Sequence, residues 1–400
     1  MSEVESPTAA SELLLGVVDC VNRVRLEARL NTGSPLRIKF GVDPSAPDIH
    51  LGHTVPMRLL RRWQRMGHLP VLVIGDYTAR IGDPTGRSDT RPQLGQEQVE
   101  SNAKTYLDQL FKVVDSSRVE VRHQSEWFDS FSLDRMLSLA RTATVAQLLQ
   151  RADFEQRMRA EQPIGVHELF YPLLQGYDSV AVRADVELGG TDQLFNLLCG
   201  REVQVAYNQP AQDIITVPLL VGLDGERKMS KSLGNAVAVA DPPGQQFGQL
   251  MSLPDRLVLP YLELLTDVTK EELARVRQGL QDGTIHPRAL KAHMAETVVA
   301  QLHGKAAARA ASLEFDRIFR DHQLPAEMEE VAVGEGPQDV RDLLLKAGLA
   351  TSRSEAARLV TQGGVRLDGV RVSGWQDPVA VSDGAVIRVG PRRMKRLRAS

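Results

Sequence analysis

The sequence predicts an α/β protein with a parallel sheet in its N-terminal half, a helical segment after it and a small basic domain at its end. Residues 36–76 have the pattern of strand, helix and strand, and residues from about 240 to 320 have helical spacing. Two strands joined through a helix by short connections form a βαβ unit, which makes the strands parallel. The basic domain is indicated by the charge of residues 338–400.

Length and composition limit the function classes. The chain has 400 residues, of which 42% are hydrophobic and 25% are charged, as in a soluble protein of two or three domains. The apolar stretch 13–18 is too short for a signal sequence or a membrane span. Cys20 and Cys199 are isolated, which argues against a disulfide framework or a cysteine-based zinc site. We expect a cytoplasmic protein without membrane contact and without a protein-bound metal.

The first βαβ unit follows from apolar periodicity. Residues 36–43 alternate apolar and polar, which predicts a strand. One apolar face predicts a helix from about Thr54 to Gly67, with Pro56 tolerated in its first turn. The continuous apolar run 71–76 is typical of a strand buried on both faces.

The remaining elements are read in the same way. Residues 97–160 have helical spacing and are predicted to be an insertion between the two halves of the sheet, and residues 166–208 return to helix, strand and helix. A strand is predicted at 216–221, with Lys228–Ser232 in the loop after it. The Pro- and Gly-containing stretch 324–338 resembles a linker.

Charge is distributed unevenly along the chain. Residues 338–400 contain 12 basic and six acidic residues, a net charge of +6, so the total of −3 leaves −9 for the preceding 337 residues. This asymmetry indicates a polyanionic partner at the C-terminal end, and a solvated basic face is the alternative.

Two short segments carry the chemistry, His50-Leu51-Gly52-His53 and Lys228-Met229-Ser230-Lys231-Ser232. The first lies where a strand leads into a helix, and a helix N-terminus favours anions. A spacing of three puts both imidazoles on one helical face, and Gly52 lets a flat base or ribose approach the backbone. Two lysines in a loop suit a clamp over a leaving phosphate. Together the segments can hold one triphosphate while an acyl group attacks it.

Each segment also has an ordinary structural interpretation. The histidines can cap a helix or be partly buried, and the lysines can be solvated loop residues. The functional interpretation is favoured because the histidines open a helix after an apolar strand and the lysines follow a later strand.

The motifs resemble those of the bacterial tyrosyl-tRNA synthetases, which are class I aminoacyl-tRNA synthetases, in the subgroup with a Lys-Met-Ser-Lys-Ser signature. The resemblance covers nearly the whole chain and keeps the family's order. It rests on these segments: 40–45 (FGVDPS), 50–53 (HLGH), 81–86 (IGDPTG), 171–178 (YPLLQGYD), 189–193 (GGTDQ) and 228–232 (KMSKS).

The resemblance implies a domain organisation. It places a Rossmann-type catalytic domain at 1–235, with a helical insertion at about 90–190 that carries the contacts of a homodimer. A helical anticodon-recognition domain follows at 236–323, then a linker at 324–337. Residues 338–400 resemble a small α+β S4-like RNA-binding domain, in which Arg353, Arg358 and Arg366 are expected to contact tRNA.

The resemblance also assigns roles to residues of the catalytic domain. His50, His53, Lys228 and Lys231 are implied to be catalytic. ATP is implied to be bound by these four and by Gly41, Asp43, Gly52, Gly190, Asp192, Met229 and Ser232. Tyrosine is implied to be bound by Lys39, Asp83, Tyr171, Gln175, Asp178 and Gln193, and pyrophosphate to be contacted by Arg87 and Arg91 in a loop. A basic loop face is the alternative for the two arginines, an ordinary surface acid for Asp178 and a core aromatic for Tyr171.

One position departs from the family pattern. Many members carry a tyrosine two residues before the glycine of the Phe-Gly-x-Asp-Pro segment, where it contacts the substrate hydroxyl, and this chain has Lys39 there. Lys39 is expected to contact the phenol, Asp178 or neither.

The function implied by the resemblance is activation of L-tyrosine with ATP, accompanied by magnesium, and transfer of the tyrosyl group to tRNA(Tyr). The alternatives are a tryptophanyl-tRNA synthetase, which shares the fold and both signatures, and an RNA-binding paralogue without catalysis. A small-molecule nucleotidylyltransferase is a third, and it would have no use for an RNA-binding tail.

Overall fold

The structure is a computed structural model that describes residues 13–84, 94–320, 328–334, 336–376, 378–390 and 393–399. The chain divides into two compact units, Met1–Ala311 and Ser312–Ser400.

The first unit contains a six-stranded sheet surrounded by helices. Its strands are β1 (Asp19–Val21), β2 (Arg37–Val42), β3 (Leu69–Ile74), β4 (Glu120–His123), β5 (Val186–Gly190) and β6 (Asp213–Val217). Its helices up to β6 are α1 (Arg23–Asn31), α2 (Leu51–Arg65), α3 (Thr78–Ile81), α4 (Gln96–Leu110), α5 (Ser125–Phe128), α6 (Leu133–Ala140), α7 (Val145–Leu148), α8 (Ala152–Arg159), α9 (Val166–Ala181) and α10 (Leu194–Ala206).

The strand order of this sheet is β1–β6–β5–β2–β3–β4. All neighbours are parallel except β1, which is antiparallel to β6. The parallel sheet is therefore confirmed, with one antiparallel edge strand in addition. Strand β2 has β3 on one side and β5 on the other, so the winding reverses between β2 and β5. Crevices form at the carboxyl ends of strands at such a reversal, and ligands bind there in α/β proteins.

Helix α2 begins at Leu51, three residues before the predicted start, because His50 caps it. Pro56 therefore lies in the second turn of the helix and not in the first. At this position it lacks the N–H that would donate to the Gly52 carbonyl. Trp63 on the predicted apolar face is buried, whereas Met66, after the end of the helix, is exposed.

The predicted insertion is not entirely helical. Residues 120–123 form β4, which pairs in parallel with β3 at the edge of the sheet. The strand predicted at 216–221 is observed earlier, as β6 at Asp213–Val217. Residues 218–221 lie outside it, because Pro218 has no N–H to continue the ladder. An apolar cluster joins the insertion to β3 and α9 through Trp127, Leu139 and Leu148 packed near Val73 and Leu173.

The predicted helical segment is confirmed by five helices: α11 (Pro243–Met251), α12 (Val258–Leu265), α13 (Lys270–Gln281), α14 (Pro287–His303) and α15 (Lys305–Phe319). No helix within the described ranges is long and apolar enough to cross a membrane.

The second unit has an α+β core. Its strands are β7 (Glu330–Val333), β8 (Gly336–Gln338), β9 (Val365–Leu367), β10 (Val370–Arg371), β11 (Val379–Val381), β12 (Val386–Val389) and β13 (Arg393–Ala399). Helices α16 (Val340–Lys346) and α17 (Arg353–Thr361) cover a sheet of order β10–β9–β12–β13–β7. The segment 324–337 is thus not simply a linker, because β7 pairs with β13 and β8 with β11.

Candidate active site

A cavity of about 920 Å³ opens at the carboxyl ends of β2 and β5, where the winding of the sheet reverses. Both signature segments line it. The predicted site residues along its wall are Gly41, Asp43, His50, Gly52, His53, Asp83, Tyr171, Gln175, Asp178, Gly190, Asp192, Gln193, Lys228, Met229 and Ser232. The fold therefore brings together residues that the sequence separates widely.

The two histidines cap helix α2 and also face the cavity. The Nδ1 atom of His50 accepts a hydrogen bond from the Gly52 N–H at 3.2 Å, and Nδ1 of His53 accepts one from the His50 N–H at 3.2 Å. A Cβ atom at position 52 would lie 2.9 Å from the His50 ring, so this close approach requires glycine. The capping interpretation and the functional one therefore hold together.

Burial sets the charge of these rings. It lowers the pKa of His50 to about 2 and the pKa of His53 to about 4, and the positive charge of Lys231 acts in the same direction. Both rings are therefore neutral near pH 7. Because Nδ1 of each ring accepts a backbone N–H, the proton of the neutral ring is on Nε2. The histidines thus offer hydrogen-bond donors to phosphate oxygens, but no net charge.

Backbone pairing joins the first signature segment to residues that follow the second. The Leu51 N–H donates to the Val237 carbonyl at 3.0 Å, and the Val239 N–H donates to the Ile49 carbonyl at 2.9 Å. The chain that follows the lysine loop is therefore held beside the N-terminus of α2. This short antiparallel contact fixes the C-terminal end of the loop.

Both signature lysines are paired with carboxylates. Lys228 Nζ is 3.6 Å from Asp192 Oδ2, and Lys231 Nζ is 3.4 Å from Asp48 Oδ2. Burial raises the pKa of Asp192, while Lys228 lowers it. All four side chains are partly exposed, so these ion pairs are weak and can be exchanged for phosphate contacts. Asp48 was not predicted as a site residue.

A second residue that the sequence analysis missed holds the lysine loop in shape. Asn235 is buried, and its Oδ1 accepts a hydrogen bond from the Ser230 N–H at 2.8 Å. Its Nδ2 donates to Asp224 Oδ2 at 2.9 Å and to the Lys228 carbonyl at 3.2 Å. One amide thus connects both ends of the loop, which an asparagine in a turn-rich segment does not reveal from sequence.

Replacing Asn235 with alanine is expected to slow the chemical step by about tenfold, because it removes three hydrogen bonds that shape the lysine loop. The end of the cavity at Asp178 has no contact with Asn235 and should keep its ligand affinity. Single-turnover kinetics will test this. The control is Asn208→Gly, because Asn208 is exposed after the end of α10 and its φ of 58° suits glycine. An unchanged rate would show that the loop does not need this amide.

At the other end of the cavity, Asp178 is buried and held by two donors. Gln124 Nε2 donates to its Oδ2 at 2.8 Å and Trp127 Nε1 to its Oδ1 at 3.2 Å. Burial raises the pKa of Asp178 to about 7, although Lys39 and Gln124 lower it. Asp178 is therefore not an ordinary surface acid, and Gln124 and Trp127 are supporting residues that the sequence analysis did not place in the site.

Asp83 lies at the same end of the cavity as Asp178 and connects Arg151 to Gln193. Its Oδ1 accepts a hydrogen bond from Arg151 Nη2 at 3.0 Å and its Oδ2 one from Gln193 Nε2 at 2.7 Å. Tyr171 donates its hydroxyl to Asp43 Oδ2 at 2.8 Å. Burial raises the pKa of Tyr171 well above its usual value, so the phenol stays protonated. Arg151 comes from the insertion and was not predicted.

The remaining predicted residues lie elsewhere. Lys39 is fully buried behind the cavity wall and pairs with Glu187. Lys231 lies beside the cavity through its contact with Asp48. Arg87 and Arg91 fall outside the described residues.

The three arginines predicted to bind tRNA belong to the second unit. Arg358 and Arg366 are exposed, on α17 and β9. Arg353 forms a two-bond ion pair with Asp342, at 2.8 Å and 2.6 Å. A phosphate contact by Arg353 would therefore compete with a carboxylate.

Comparison with protein families gives two matches. The family described as "tRNA synthetases class I (W and Y)" matches residues 31–320. The S4 domain matches residues 342–383. These two ranges correspond to the sheet-and-helix unit with its site and to the small basic unit.

Curated relatives match along almost the whole chain. The tyrosine–tRNA ligase of Moorella thermoacetica is 48% identical, and the match covers 96% of this chain and 94% of the relative. The tyrosine–tRNA ligase of Thermotoga maritima is 46% identical, with 95% of each chain covered. That of Thiobacillus denitrificans is 48% identical, with 97% of this chain and 98% of the relative covered.

Solved structures share the fold at low identity. A C-terminally truncated mitochondrial tyrosyl-tRNA synthetase of Aspergillus nidulans has a TM-score of 0.66 and 23% identity, over 79% of this chain and 96% of that one. The Archaeoglobus fulgidus tyrosyl-tRNA synthetase complexed with L-tyrosine has a TM-score of 0.62 and 22% identity, over 76% and 98%. From the family match and the curated relatives, this chain belongs to the class I tyrosyl-tRNA synthetases with a C-terminal S4 domain.

Proposed function

We propose that this protein is a tyrosine–tRNA ligase. It activates L-tyrosine with ATP to give tyrosyl-adenylate and pyrophosphate, then transfers the tyrosyl group to the 3′-terminal ribose of tRNA(Tyr). The observation that carries the proposal is a single cavity with neutral donors and lysines at one end and a buried carboxylate, Asp178, at the other. The near-full-length relatives support tyrosine over the alternatives, including a tryptophanyl-tRNA synthetase.

In the first step, a carboxylate oxygen of tyrosine attacks the α-phosphorus of ATP. A new oxygen–phosphorus bond forms, and the bond to the bridging oxygen breaks as pyrophosphate leaves. His50 and His53 donate hydrogen bonds to phosphate oxygens, and Lys228 and Lys231 supply positive charge to the leaving group. Asp192 at the end of β5 would accept hydrogen bonds from the ribose. Magnesium enters with ATP as part of the substrate.

The amino acid would lie along the wall formed by α9. The phenolic hydroxyl would donate to Asp178, and the ammonium group would donate to oxygens of Asp83, Tyr171 and Gln175. A phenylalanine would leave Asp178 without the donor from the substrate and would still exclude water from it, which is more unfavourable than losing a similar apolar contact. Gln193 would lie beside the reacting carboxylate.

Amino-acid-dependent exchange between ATP and pyrophosphate tests this function. Exchange should occur with tyrosine and not with tryptophan or phenylalanine. Exchange with tryptophan alone would favour the tryptophanyl enzyme. Binding of tRNA without any exchange would favour an inactive RNA-binding paralogue.

The pH dependence of tyrosine use is expected to follow Asp178. The ionised carboxylate is the better acceptor, and with a pKa of about 7 its ionised fraction falls as the pH drops. Between pH 8 and pH 6 that fraction falls about tenfold, so the tyrosine KM should rise by up to about tenfold. The ATP KM should change less, since the pKa values of His50 and His53 lie well below this range. A tyrosine KM that stays constant over this range would contradict the assigned acceptor.

Binding of tRNA is expected to weaken with added salt because the second unit would contact phosphates. Replacing the exposed Arg358 with alanine should reduce the slope of log K against log salt by about one. Arg23→Ala, on the first unit and 61% exposed, is the matched control. A slope equal to that of the unmodified protein would remove Arg358 from the interface.

The predicted homodimer and the cytoplasmic location remain proposals. Large apolar side chains of the insertion and the start of α9 are exposed, which supports a partner surface in that region. They are Leu133 (75%), Leu137 (51%), Val145 (61%), Met158 (53%) and Val166 (72%). Sedimentation of the purified protein would measure the assembly state.

A further inference from the structure

A buried ion pair lies directly behind the tyrosine end of the cavity. Lys39 on β2 and Glu187 on β5 are register partners across the point where the sheet reverses its winding. Lys39 Nζ is 2.8 Å from Glu187 Oε1, and the two side chains are 0% and 1% exposed. Burying two charges is unfavourable, and such a pair is weak evidence for a stabilising role. Its place between the two strands that form the site points to another role.

The hydrogen-bonding capacity of Lys39 is fully used within the protein. Its Nζ donates to the Gln175 carbonyl at 2.7 Å and to Ser179 Oγ at 2.8 Å, in addition to its contact with Glu187. An ammonium group has three protons, and these three oxygens can take them all. Lys39 therefore has no proton left to donate to a substrate phenol.

The same holds for Glu187, although it lines the cavity. Its Oε1 faces Lys39 and accepts from Gln175 Nε2 at 3.3 Å. Its Oε2 accepts from Ser179 Oγ at 3.2 Å and from Gln212 Nε2. A carboxylate has about four acceptor positions, so these four contacts account for them.

These contacts fix the orientation of the Gln175 side chain. A carboxylate can only accept hydrogen bonds, so the Gln175 amide must turn its NH₂ group toward Glu187. Its carbonyl oxygen is then the end that remains for the cavity, and an oxygen is what a substrate ammonium group needs. Lys39 Nζ holds the same residue by donating to the backbone carbonyl of Gln175.

We propose that Lys39 and Glu187 act as one positioning pair that presents the Gln175 oxygen to the amino group of tyrosine and fixes the turns of α9 that carry Gln175, Asp178 and Ser179, without touching the substrate. This inference rests on the proposed function. It gives the lysine that replaces the family's tyrosine a role in amino-acid recognition through Gln175 and Ser179.

The pair also balances the charge around Asp178. Burial is the main cause of the raised pKa of Asp178; Lys39 and the Gln124 hydrogen bond lower this pKa, whereas Glu187 and Asp43 raise it. Removing Lys39 alone would leave Glu187 and Asp43 facing Asp178, so its pKa should rise further. The fall of the tyrosine KM with rising pH should then occur at a higher pH than in the unmodified protein.

The test is a double-mutant cycle of Lys39→Met and Glu187→Gln in the full chain. The readouts are tyrosine KM, ATP KM and the pH profile in ATP–pyrophosphate exchange. Each single change should raise the tyrosine KM about tenfold and leave the ATP KM within about twofold. If the two changes acted independently, the double variant would raise the tyrosine KM by the product of the two single fold rises. The double variant keeps no lone buried charge, so its fold rise should be at least about fivefold smaller than that product. Lys291→Met, which breaks an ion pair with Asp255, is the control.

A merely structural role predicts a different result. Both single variants would then melt at lower temperature but keep the tyrosine KM and pH profile of the unmodified protein, and this outcome overturns the proposal. Effects that multiply in the double variant overturn it as well. If a single variant does not fold, Ser179→Ala replaces it. This variant is expected to raise the tyrosine KM about threefold. An unchanged tyrosine KM in Ser179→Ala also overturns the proposal. Absence of exchange with tyrosine in the unmodified protein would instead refute the proposed function.

Discussion

Replacing Lys231 with alanine is expected to slow the formation of tyrosyl-adenylate by about 100- to 1,000-fold and to leave tyrosine affinity almost unchanged. The reason is the charge state of the site. Low pKa values keep His50 and His53 neutral, so the negative charge that grows on pyrophosphate must be balanced mainly by lysines. The partly exposed Lys231–Asp48 pair can open when the triphosphate arrives.

The rate should be measured in single turnovers with saturating ATP, and tyrosine affinity by equilibrium binding. Lys291→Ala, outside the site, is the matched control for removing a paired lysine. Loss of tyrosine binding as large as the loss of rate would place Lys231 in amino-acid recognition and contradict the assigned role.

The parallel sheet could be predicted because each strand of the first βαβ unit carries its own apolar pattern. Strand β4 could not, because three of its four residues (Glu120, Arg122 and His123) are polar and the whole strand is only half-buried at the sheet edge. The start of α2 was placed too late because a histidine cap is not among the usual capping residues. Local periodicity thus identifies core elements, and it fails where an element is short or marks an edge.

The site divides in a similar way. The two signature segments could be predicted because each keeps its chemical groups within a few residues. The supporting contacts could not, since they join distant parts of the chain: Asp48 to Lys231, Arg151 to Asp83, and Lys39 to Glu187. In the sequence, Glu187 is a single acid near the pair Gly189-Gly190, and nothing around it indicates a partner. Only the register of β2 and β5 shows that the partner is Lys39.

Replacing Asp178 with asparagine is expected to lower kcat/KM for tyrosine by about 10- to 100-fold and to leave the ATP KM unchanged. The phenol would lose an anionic acceptor. In addition, the Gln124 and Trp127 N–H groups both point at position 178. An asparagine amide has one oxygen, so its NH₂ group would face one of these donors.

Activity with phenylalanine separates this explanation from general damage to the cavity. Phenylalanine has no hydroxyl that could contact position 178. The low rate of exchange with phenylalanine should therefore stay the same or rise, and the preference for tyrosine should shrink by about 10-fold or more. Asp255→Asn, at an exposed ion pair, is the control. The variant should also lose the pH dependence of the tyrosine KM, since position 178 then has no group that titrates near pH 7. Equal losses for tyrosine and phenylalanine would mean that Asp178 shapes the wall of the cavity and does not read the hydroxyl.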